Sequence, residues 1–279
     1  MPYTGEISRN NPTCVIFVLD QSTSMNMKIE GGQSKAAFLA DVLNKTLYTL
    51  ITTCTKADGI RDYFYVGVVA YSGTAARNGL AGHAGEDLLH PISHLANTPL
   101  RVEERRKKIL TESDQIVEQP VKFPVWFEPV SAGKTPMVAG LSLAADLVRQ
   151  WCSGHTNGYP PTVLHVTDGH PTDGDPEPAS EGIKRLGTED GPALLFNLHI
   201  DIGPNAPVAF PKDDSCLPDK YARRLFRMSS VLPTHLTGPA REKGYSLEVG
   251  SRGFIFNGDP TCIADFFDIG TRPQSLTDR

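Results

Sequence analysis

The sequence predicts an α/β protein whose central sheet is doubly wound and mostly parallel, with helices on both faces. Three observations predict this fold class. Short, continuous apolar runs recur along the 279-residue chain, helical patterns separate them, and polar residues close them. Strands buried on both faces have such apolar runs. Their alternation with helices predicts parallel pairing through crossover connections.

Five apolar runs are the predicted strands. Each is rich in β-branched, aromatic or leucine residues and is followed by a polar loop. They are "CVIFVLD" (14–20), "DYFYVGVVAYS" (62–72), "TVLHVTDG" (162–169), "ALLFNLHID" (193–201) and the shorter "RGFIFNG" (252–258).

Two clear helices are predicted between these strands. Within 35–54 the apolar residues fall on one stripe, and within 136–151 they recur every three or four positions, as one face of a helix requires. The second set comprises Met137, Leu141, Ala144, Val148 and Trp151. Weaker helical patterns occur at 217–231 and 261–269.

The stretch 73–134 is the least regular part of the sequence. It predicts an edge strand, a solvated charged helix over "RVEERRKKILTESDQIVEQ" (101–119) and a connection. The stretch 170–190 predicts an acidic loop with a short helix. We expect a single domain over 13–270, with a loose N-terminal segment at 1–12 and a C-terminal tail at 271–279.

Composition excludes several classes of protein. A net charge of −5 without a concentrated basic face argues against a nucleic-acid partner. No apolar segment approaches the ~18 residues that cross a bilayer, so no membrane is expected. The first residues do not have the pattern of a signal peptide. Five scattered cysteines without a CxxC pair indicate reduced thiols. These features predict a cytoplasmic protein.

Polar side chains follow two of the predicted strands and precede one helix. Asp20, Ser22 and Ser24 come directly after the first strand, and Asp168 follows the third. Thr135 stands just before the helix at 136–151. Ligands of parallel sheets sit at the carboxyl ends of the strands, so we expect these side chains to converge there. Oxygen donors suit Mg²⁺, and Mn²⁺ accepts the same set.

At these residues the sequence resembles the von Willebrand factor A (vWA) domain, the Rossmann-like fold shared with integrin I domains. The family's metal-ion-dependent adhesion site (MIDAS) has the pattern D-x-S-x-S, then a distant Thr and a distant Asp. "DQSTS" (20–24), Thr135 and Asp168 match that order. "TDG" after a strand and "GKTPMVAGLSLA" before a helix are also similar to the family.

The resemblance implies roles for the five residues. Ser22 and Ser24 would bind the cation directly, and Thr135 directly or through water. Asp20 and Asp168 would mostly hold coordinated waters and orient the serines. A partner protein would supply an Asp or Glu carboxylate at the open position, while loops 73–90 and 170–180 add specificity.

The resemblance also implies a biological setting. Prokaryotic stand-alone members of the tellurite-resistance type accompany kinase- and phosphatase-like proteins, which implies a role in signalling or stress response. The leading hypothesis is therefore a non-enzymatic, metal-dependent protein-binding module.

Three alternatives stay open. Each residue alone fits ordinary turn and cap chemistry. A metal-dependent phosphohydrolase would use Asp20 as nucleophile, but it needs a second Asp at position 22 as general acid, and the chain has Ser22. A scaffold would keep a purely structural ion.

Other candidate motifs predict no site. "SAGKT" (131–135) resembles a phosphate-binding loop, but Glu128 stands where that loop needs glycine. The acidic residues of 168–177 are interpreted as a solvated loop. His165 is expected to be a packed core histidine and His170 a loop histidine. The remaining six histidines are interpreted as lacking a ligand spacing such as H-x-x-x-H: His83, His90, His94, His155, His199 and His235.

Overall fold

The five predicted strands are the parallel centre of one sheet. The structure is a computed structural model, and it describes residues 2–29, 31–83, 87–110, 116–200, 206–258 and 260–272. The strands are β1 Thr13–Asp20, β2 Thr55–Lys56, β3 Gly59–Ile60, β4 Phe64–Ser72, β5 Ala75–Asn78, β6 Leu89–Pro91, β7 Arg101–Leu110, β8 Ile116–Val125, β9 Thr162–Thr167, β10 Gly187–Thr188, β11 Gly191–Pro192, β12 Leu194–His199, β13 Val208–Ala209 and β14 Phe254–Phe256.

Helices cover both faces of this sheet. They are α1 Lys35–Cys54, α2 Ile92–Asn97, α3 Met137–Gly154, α4 Glu177–Arg185, α5 Lys220–Met228, α6 Thr234–Glu242 and α7 Pro260–Gly270. The predicted helix over 35–54 is confirmed at both ends, and α3, α4, α5 and α7 correspond to the other predicted helices. Among the described residues, no helix has the length and apolar character that crossing a bilayer requires.

The sheet has the strand order β13-β14-β12-β9-β1-β4-β5, and β6 also pairs with β4. The strands from β14 to β4 are parallel, whereas the edge strands β5, β6 and β13 are antiparallel. The chain runs from β1 to β4 on one side and returns to β9 on the other, so strand order reverses between β1 and β9. The predicted fold class is confirmed, and open α/β sheets bind ligands at such a reversal of strand order, which we here call the β1–β9 crevice.

Alternate side chains of β1 enter two different cores. Val15, Phe17 and Leu19 pack with residues of α1 and α7 on one face. Cys14, Ile16 and Val18 pack with α3 and α5 on the other. This two-sided burial explains why the run at 14–20 is continuously apolar rather than alternating.

The predicted helix over 101–119 is wrong. The described part of this stretch belongs to a β-hairpin in which β7 pairs antiparallel with β8. Glu103 accepts hydrogen bonds from Arg101 (2.5 Å) and Arg105 (3.1 Å). Residues two positions apart share a face in a strand but not in a helix. The Arg105 guanidinium also lies 3.8 Å from the ring centroid of Phe123 on β8, a contact that the local charge pattern does not encode.

The N-terminal segment differs from the expected loose end. The backbone N–H of Tyr3 donates to the carbonyl of Asp190 (2.7 Å), and that of Thr4 donates to its carboxylate (2.8 Å). Ile7 is 1% exposed, because it joins the core beside α1. Of the expected tail at 271–279, residues 273–279 lie outside the described residues.

Candidate metal centre

The five predicted site residues come from three segments that meet at the β1–β9 crevice. Asp20 is the last residue of β1, and Leu19 pairs with Val166 on β9. Asp168 follows the last residue of β9, so the two aspartates stand at neighbouring strand ends. Both strands are parallel, and their carboxyl ends therefore face the same edge of the sheet.

The loop after β1 turns both serines toward one another. The Ser22 backbone N–H donates to Oδ1 of Asp20 at 2.8 Å. The hydroxyl oxygens of Ser22 and Ser24 lie 3.0 Å apart. A short 3-10 helix at Thr23–Asn26 follows, which tightens the loop enough for alternate side chains to point at the same place.

Asp168 is joined to this loop through Ser24. The Ser24 hydroxyl donates to Oδ1 of Asp168 at 2.6 Å. Because a hydroxyl has one proton, Ser24 must accept from Ser22, and the proton of Ser22 points toward Ser24. The hydroxyls and the carboxylate thus form one directed chain of hydrogen bonds.

Thr135 reaches the same space from the loop before α3. A Cβ atom built on Gly169 would lie 3.5 Å from the Thr135 hydroxyl oxygen and 3.7 Å from that of Ser24. Gly169 therefore lies close to both hydroxyls, and a Cβ atom there would make only ordinary van der Waals contacts with them. The Thr135 backbone is fixed by Thr172, which accepts from its N–H (3.1 Å) and donates to its carbonyl (3.0 Å).

Gly133 allows this loop to approach the sheet. Its φ is +78°, and a Cβ atom there would lie 2.8 Å from the backbone of Gly73. The Gly133 carbonyl accepts from the backbone N–H (3.0 Å) and the hydroxyl (3.1 Å) of Thr23. The loop before α3 is therefore fastened directly to the serine loop, which holds Thr135 beside Ser24.

Asp20 is buried and has a partner on each oxygen. Its side chain accepts from the Thr167 hydroxyl at 2.7 Å as well as from the Ser22 N–H. Burial raises the pKa of the Asp20 carboxyl, and the charge of Asp168 adds to the rise, against these hydrogen bonds. A cation in the crevice would favour the ionised carboxylate.

Lys35 is the site residue that the sequence did not reveal. Its Nζ lies 3.0 Å from Oδ2 of Asp168, and the two side chains are 1% and 0% exposed. Lys35 is the first residue of α1, where the helix dipole disfavours a cation. A lysine at the first residue of a helix is therefore a sequence signal that an acidic side chain lies close to its ammonium group.

A buried hydrogen-bond chain lies behind the site. Tyr71, which pairs with Asp20, has its hydroxyl 2.9 Å from Nε2 of His165. Nδ1 of His165 lies 2.7 Å from Oδ1 of Asn197, whose amide donates to Ser229 at 2.9 Å. Burial lowers the pKa of His165 to about 4. The predicted core role of His165 is confirmed: its neutral ring donates through Nδ1 and accepts at Nε2.

Two residues of the 170–190 stretch have specific contacts. The ring of His170 stacks on Tyr221 of α5, with centroids 3.5 Å apart. The Asp173 carboxylate accepts from the backbone N–H groups of Val138 (3.1 Å) and Ala139 (2.9 Å), at the start of α3. Asp173 is therefore a cap for α3, and not only part of a solvated acidic loop.

The oxygen set fits a hard divalent cation. Three hydroxyls and two carboxylates converge at the carboxyl ends of β1 and β9, and such donors suit Mg²⁺ or Mn²⁺. The described side chains at this point include no thiol or imidazole that would favour a softer metal.

No protein-family model matches the sequence, and no curated protein matches it. Among solved structures, the PilB minor pilin from Streptococcus sanguinis is similar with a TM-score of 0.34 and 14% identity, over 61% of this chain and 31% of that one.

The vWF domain of the type V pili tip protein Mfa5 from Porphyromonas gingivalis is similar with a TM-score of 0.33 and 14% identity, over 58% of this chain and 39% of that one. A structure of three N-terminal domains of Mfa5 has a TM-score of 0.32 and 14% identity, over 58% of this chain and 20% of that one. The chain spans less than half the length of each of these proteins, so the likeness concerns part of each fold.

Proposed function

We propose that the protein is a non-enzymatic binding module that captures a carboxylate of a partner protein through a divalent cation. The observation that carries the proposal is the convergence of Ser22, Ser24 and Thr135 with two aspartates at the carboxyl edge of the sheet. The hydroxyls of Ser22, Ser24 and Thr135 would hold the cation, and Asp20 and Asp168 would orient them and bind its waters.

Lys35 changes the charge of this site in a way that supports the proposal. Asp20 and Asp168 carry two negative charges when ionised, and Lys35 returns one positive charge through its contact with Asp168. A bound divalent cation would thus leave the cluster with one net positive charge. A positive, partly buried centre attracts an incoming carboxylate more strongly than the two aspartates alone would allow.

Exposed basic residues beside the crevice favour an acidic partner. Lys134 precedes Thr135, Lys28 follows the serine loop, and Arg77 donates to the side chain of Gln21 at 2.5 Å. All three side chains are exposed, and they belong to segments next to the site residues along the chain or in contact with them. They would steer an Asp- or Glu-containing segment toward the cation, with a dependence on ionic strength.

The bound cation would attract the partner's carboxylate as a Lewis acid, and the side chains of the site would hold the cation in place. Position 22 is a serine that donates to Ser24, so no carboxylic acid stands there to protonate a leaving group. We therefore propose binding rather than hydrolysis.

The test uses Mn²⁺ and Mg²⁺ themselves as probes. Isothermal titration of the purified chain should show one Mg²⁺ or Mn²⁺ site, and Ser22→Ala should weaken it about tenfold or more. Ser142→Ala, on the exposed face of α3, is the matched control and should bind as the wild type does. Equal affinity of wild type and Ser22→Ala would contradict the assignment.

A second experiment tests the partner. Capture of proteins from a native lysate in Mg²⁺, but not in EDTA, should depend on Ser22 and not on Ser142. Binding that survives both the chelator and Ser22→Ala would show that the cation is not the bridge. Turnover of a generic phosphate ester with Mg²⁺, lost on Asp20→Asn, would instead favour an enzyme.

A further inference from the structure

A cluster of three histidines lies at the β4 edge of the sheet. It is separate from the oxygen site, by which we mean Asp20, Ser22, Ser24, Thr135 and Asp168. His83 ends a 3-10 turn at Ala81–His83, His90 is the middle residue of β6, and His94 lies on α2. One ligand nitrogen from each ring can be chosen so that all lie within 4.8 Å of one another. The interpretation that these histidines lack a ligand spacing is wrong, because His90 and His94 are spaced H-x-x-x-H.

We propose that His83, His90 and His94 form a second metal site, selective for Zn²⁺ or a similar borderline cation. Nδ1 of His83 lies 3.3 Å from Nε2 of His94. Two ligands at ~2.0–2.1 Å from one tetrahedral Zn²⁺ are about 3.3 Å apart. The two nitrogens are joined by a hydrogen bond in this structure, and a cation that replaced the shared proton would find them already at the separation of two ligands.

The hydrogen bonds around His83 fix the tautomer that a ligand needs. The Thr98 hydroxyl donates its single proton to the carbonyl of His94 at 2.7 Å. Its oxygen also lies 3.3 Å from Nε2 of His83, so there it accepts and Nε2 carries the proton. The lone pair of His83 is then on Nδ1, which faces His94. A second-shell hydroxyl that orients a metal-binding imidazole is the usual arrangement in protein metal sites.

The backbone around the cluster is held from several sides. The His83 carbonyl accepts from the Asn78 side chain at 3.1 Å. His90 pairs with Val66 of β4 in the antiparallel ladder. The Leu95 carbonyl, one residue after His94, accepts from the Trp126 indole at 2.6 Å. The three imidazoles are thus presented by a framework that does not depend on a metal to bring them together.

The donor chemistry separates this site from the oxygen site. The three ligand groups are imidazoles, which suit Zn²⁺ and neighbouring transition metals but not Mg²⁺. His83 and His90 are buried and His94 is half-buried, so a fourth position for water would face the side of His94. Along β4, the residues paired with His90 and Asp20 are Val66 and Tyr71, which separates the two sites by roughly 16 Å in the strand direction alone.

The experiment titrates the metal-free chain, without an affinity tag, with Zn²⁺ against a chromophoric chelator. The wild type should bind one Zn²⁺ at this site, and His94→Ala should bind it at least about tenfold more weakly. His155→Ala, another half-buried histidine whose ring stacks on Trp151, is the matched control and should retain Zn²⁺. Ser22→Ala should also retain Zn²⁺, which separates this site from the oxygen site.

Two further readouts keep the test decisive. Circular dichroism and thermal unfolding in chelator establish that His94→Ala is folded. Co²⁺ bound to the wild type should give the visible absorption of a four-coordinate site, which requires no variant, and His90→Gln should abolish it. Absence of Zn²⁺ binding to the wild type, equal Zn²⁺ affinity in His94→Ala, or a six-coordinate Co²⁺ spectrum would overturn the proposal.

Discussion

The β1–β9 crevice and the β4 edge present two different kinds of donor cluster on one sheet. In the crevice, oxygens from three segments far apart in sequence meet because parallel strands end at a common edge. At the β4 edge, three imidazoles come from a stretch of only twelve residues, His83 to His94. The difference teaches that topology assembles the first cluster and local chain geometry the second, so the sequence signals for them differ.

The largest effect on stability is expected from removing the Lys35 ammonium group, which pairs with Asp168. Lys35→Met leaves a buried carboxylate without its partner, which should lower the free energy of unfolding by about 3–5 kcal/mol in the absence of metal. Saturating Mg²⁺ should narrow the difference between variant and wild type, because it would also neutralise Asp168, whereas Zn²⁺ bound at the histidines should stabilise both proteins equally. Urea unfolding with and without each ion measures both quantities.

The control for Lys35 is an ion pair on the surface. Lys45 contacts Asp41 on the exposed side of α1 at 2.7 Å, and its side chain is 62% exposed. Lys45→Met should change the free energy of unfolding by less than about 1 kcal/mol. If Lys35→Met cost no more than this, Lys35 would have no special role in the crevice.

The buried chain behind the crevice predicts a loss of stability in acid. His165 has a pKa lowered from 6.5 to about 4 by burial, so between these values the unfolded chain binds the extra proton. Stability from His165 is present above pH 6.5 and falls as pH drops toward 4, by up to about 3 kcal/mol. The ring signals of His165 in NMR should remain those of a neutral imidazole at pH 5. A titration midpoint near 6.5 would exclude this account.

The oxygen site should be sensitive to the loop before α3. Gly133→Ala places a Cβ atom 2.8 Å from the backbone of Gly73 at a φ of +78°. We expect a loss of about 1–3 kcal/mol in the free energy of unfolding and weaker Mn²⁺ binding, because Thr135 would be displaced. Zn²⁺ binding should be unaffected. Unchanged Mn²⁺ affinity would show that this loop does not position a ligand.

The smallest effect is expected at a glycine remote from both clusters. Gly182 lies inside α4, and a Cβ atom there would meet nothing within 4 Å. Gly182→Ala should therefore raise the free energy of unfolding by about 0.5–1 kcal/mol without altering either metal affinity. Thermal unfolding and the Mn²⁺ and Zn²⁺ titrations of this variant show the effect of a Gly→Ala substitution without steric strain, with which the Gly133→Ala result is compared.

Much of the fold, and the five oxygen-bearing residues of the crevice, could be predicted from the sequence. Apolar runs such as 14–20 and 162–169 marked strands buried on both faces, and the residue after each run marked the carboxyl edge. Asp20, Ser22, Ser24 and Asp168 were predicted in this way and Thr135 from its place just before a predicted helix, and the structure brings them together. Whether they bind a cation remains a prediction.

Other features depend on contacts that local patterns do not contain. The ladder of the β7–β8 hairpin places Glu104 opposite Lys122, a pairing that a charged stretch read by itself does not specify. Lys35 and Asp168 are 133 residues apart in sequence, and their burial follows from the packing of α1 on the sheet. The histidine spacing at 90–94 was present in the sequence, but only the turn that brings in His83 gives it a third donor.

Anomalous diffraction from crystals grown with Mn²⁺ tests the central claim most directly. We predict an anomalous peak bounded by the hydroxyls of Ser22, Ser24 and Thr135, which disappears in Ser22→Ala crystals. The absence of a peak in the β1–β9 crevice, or a peak only at the three histidines, would contradict the account.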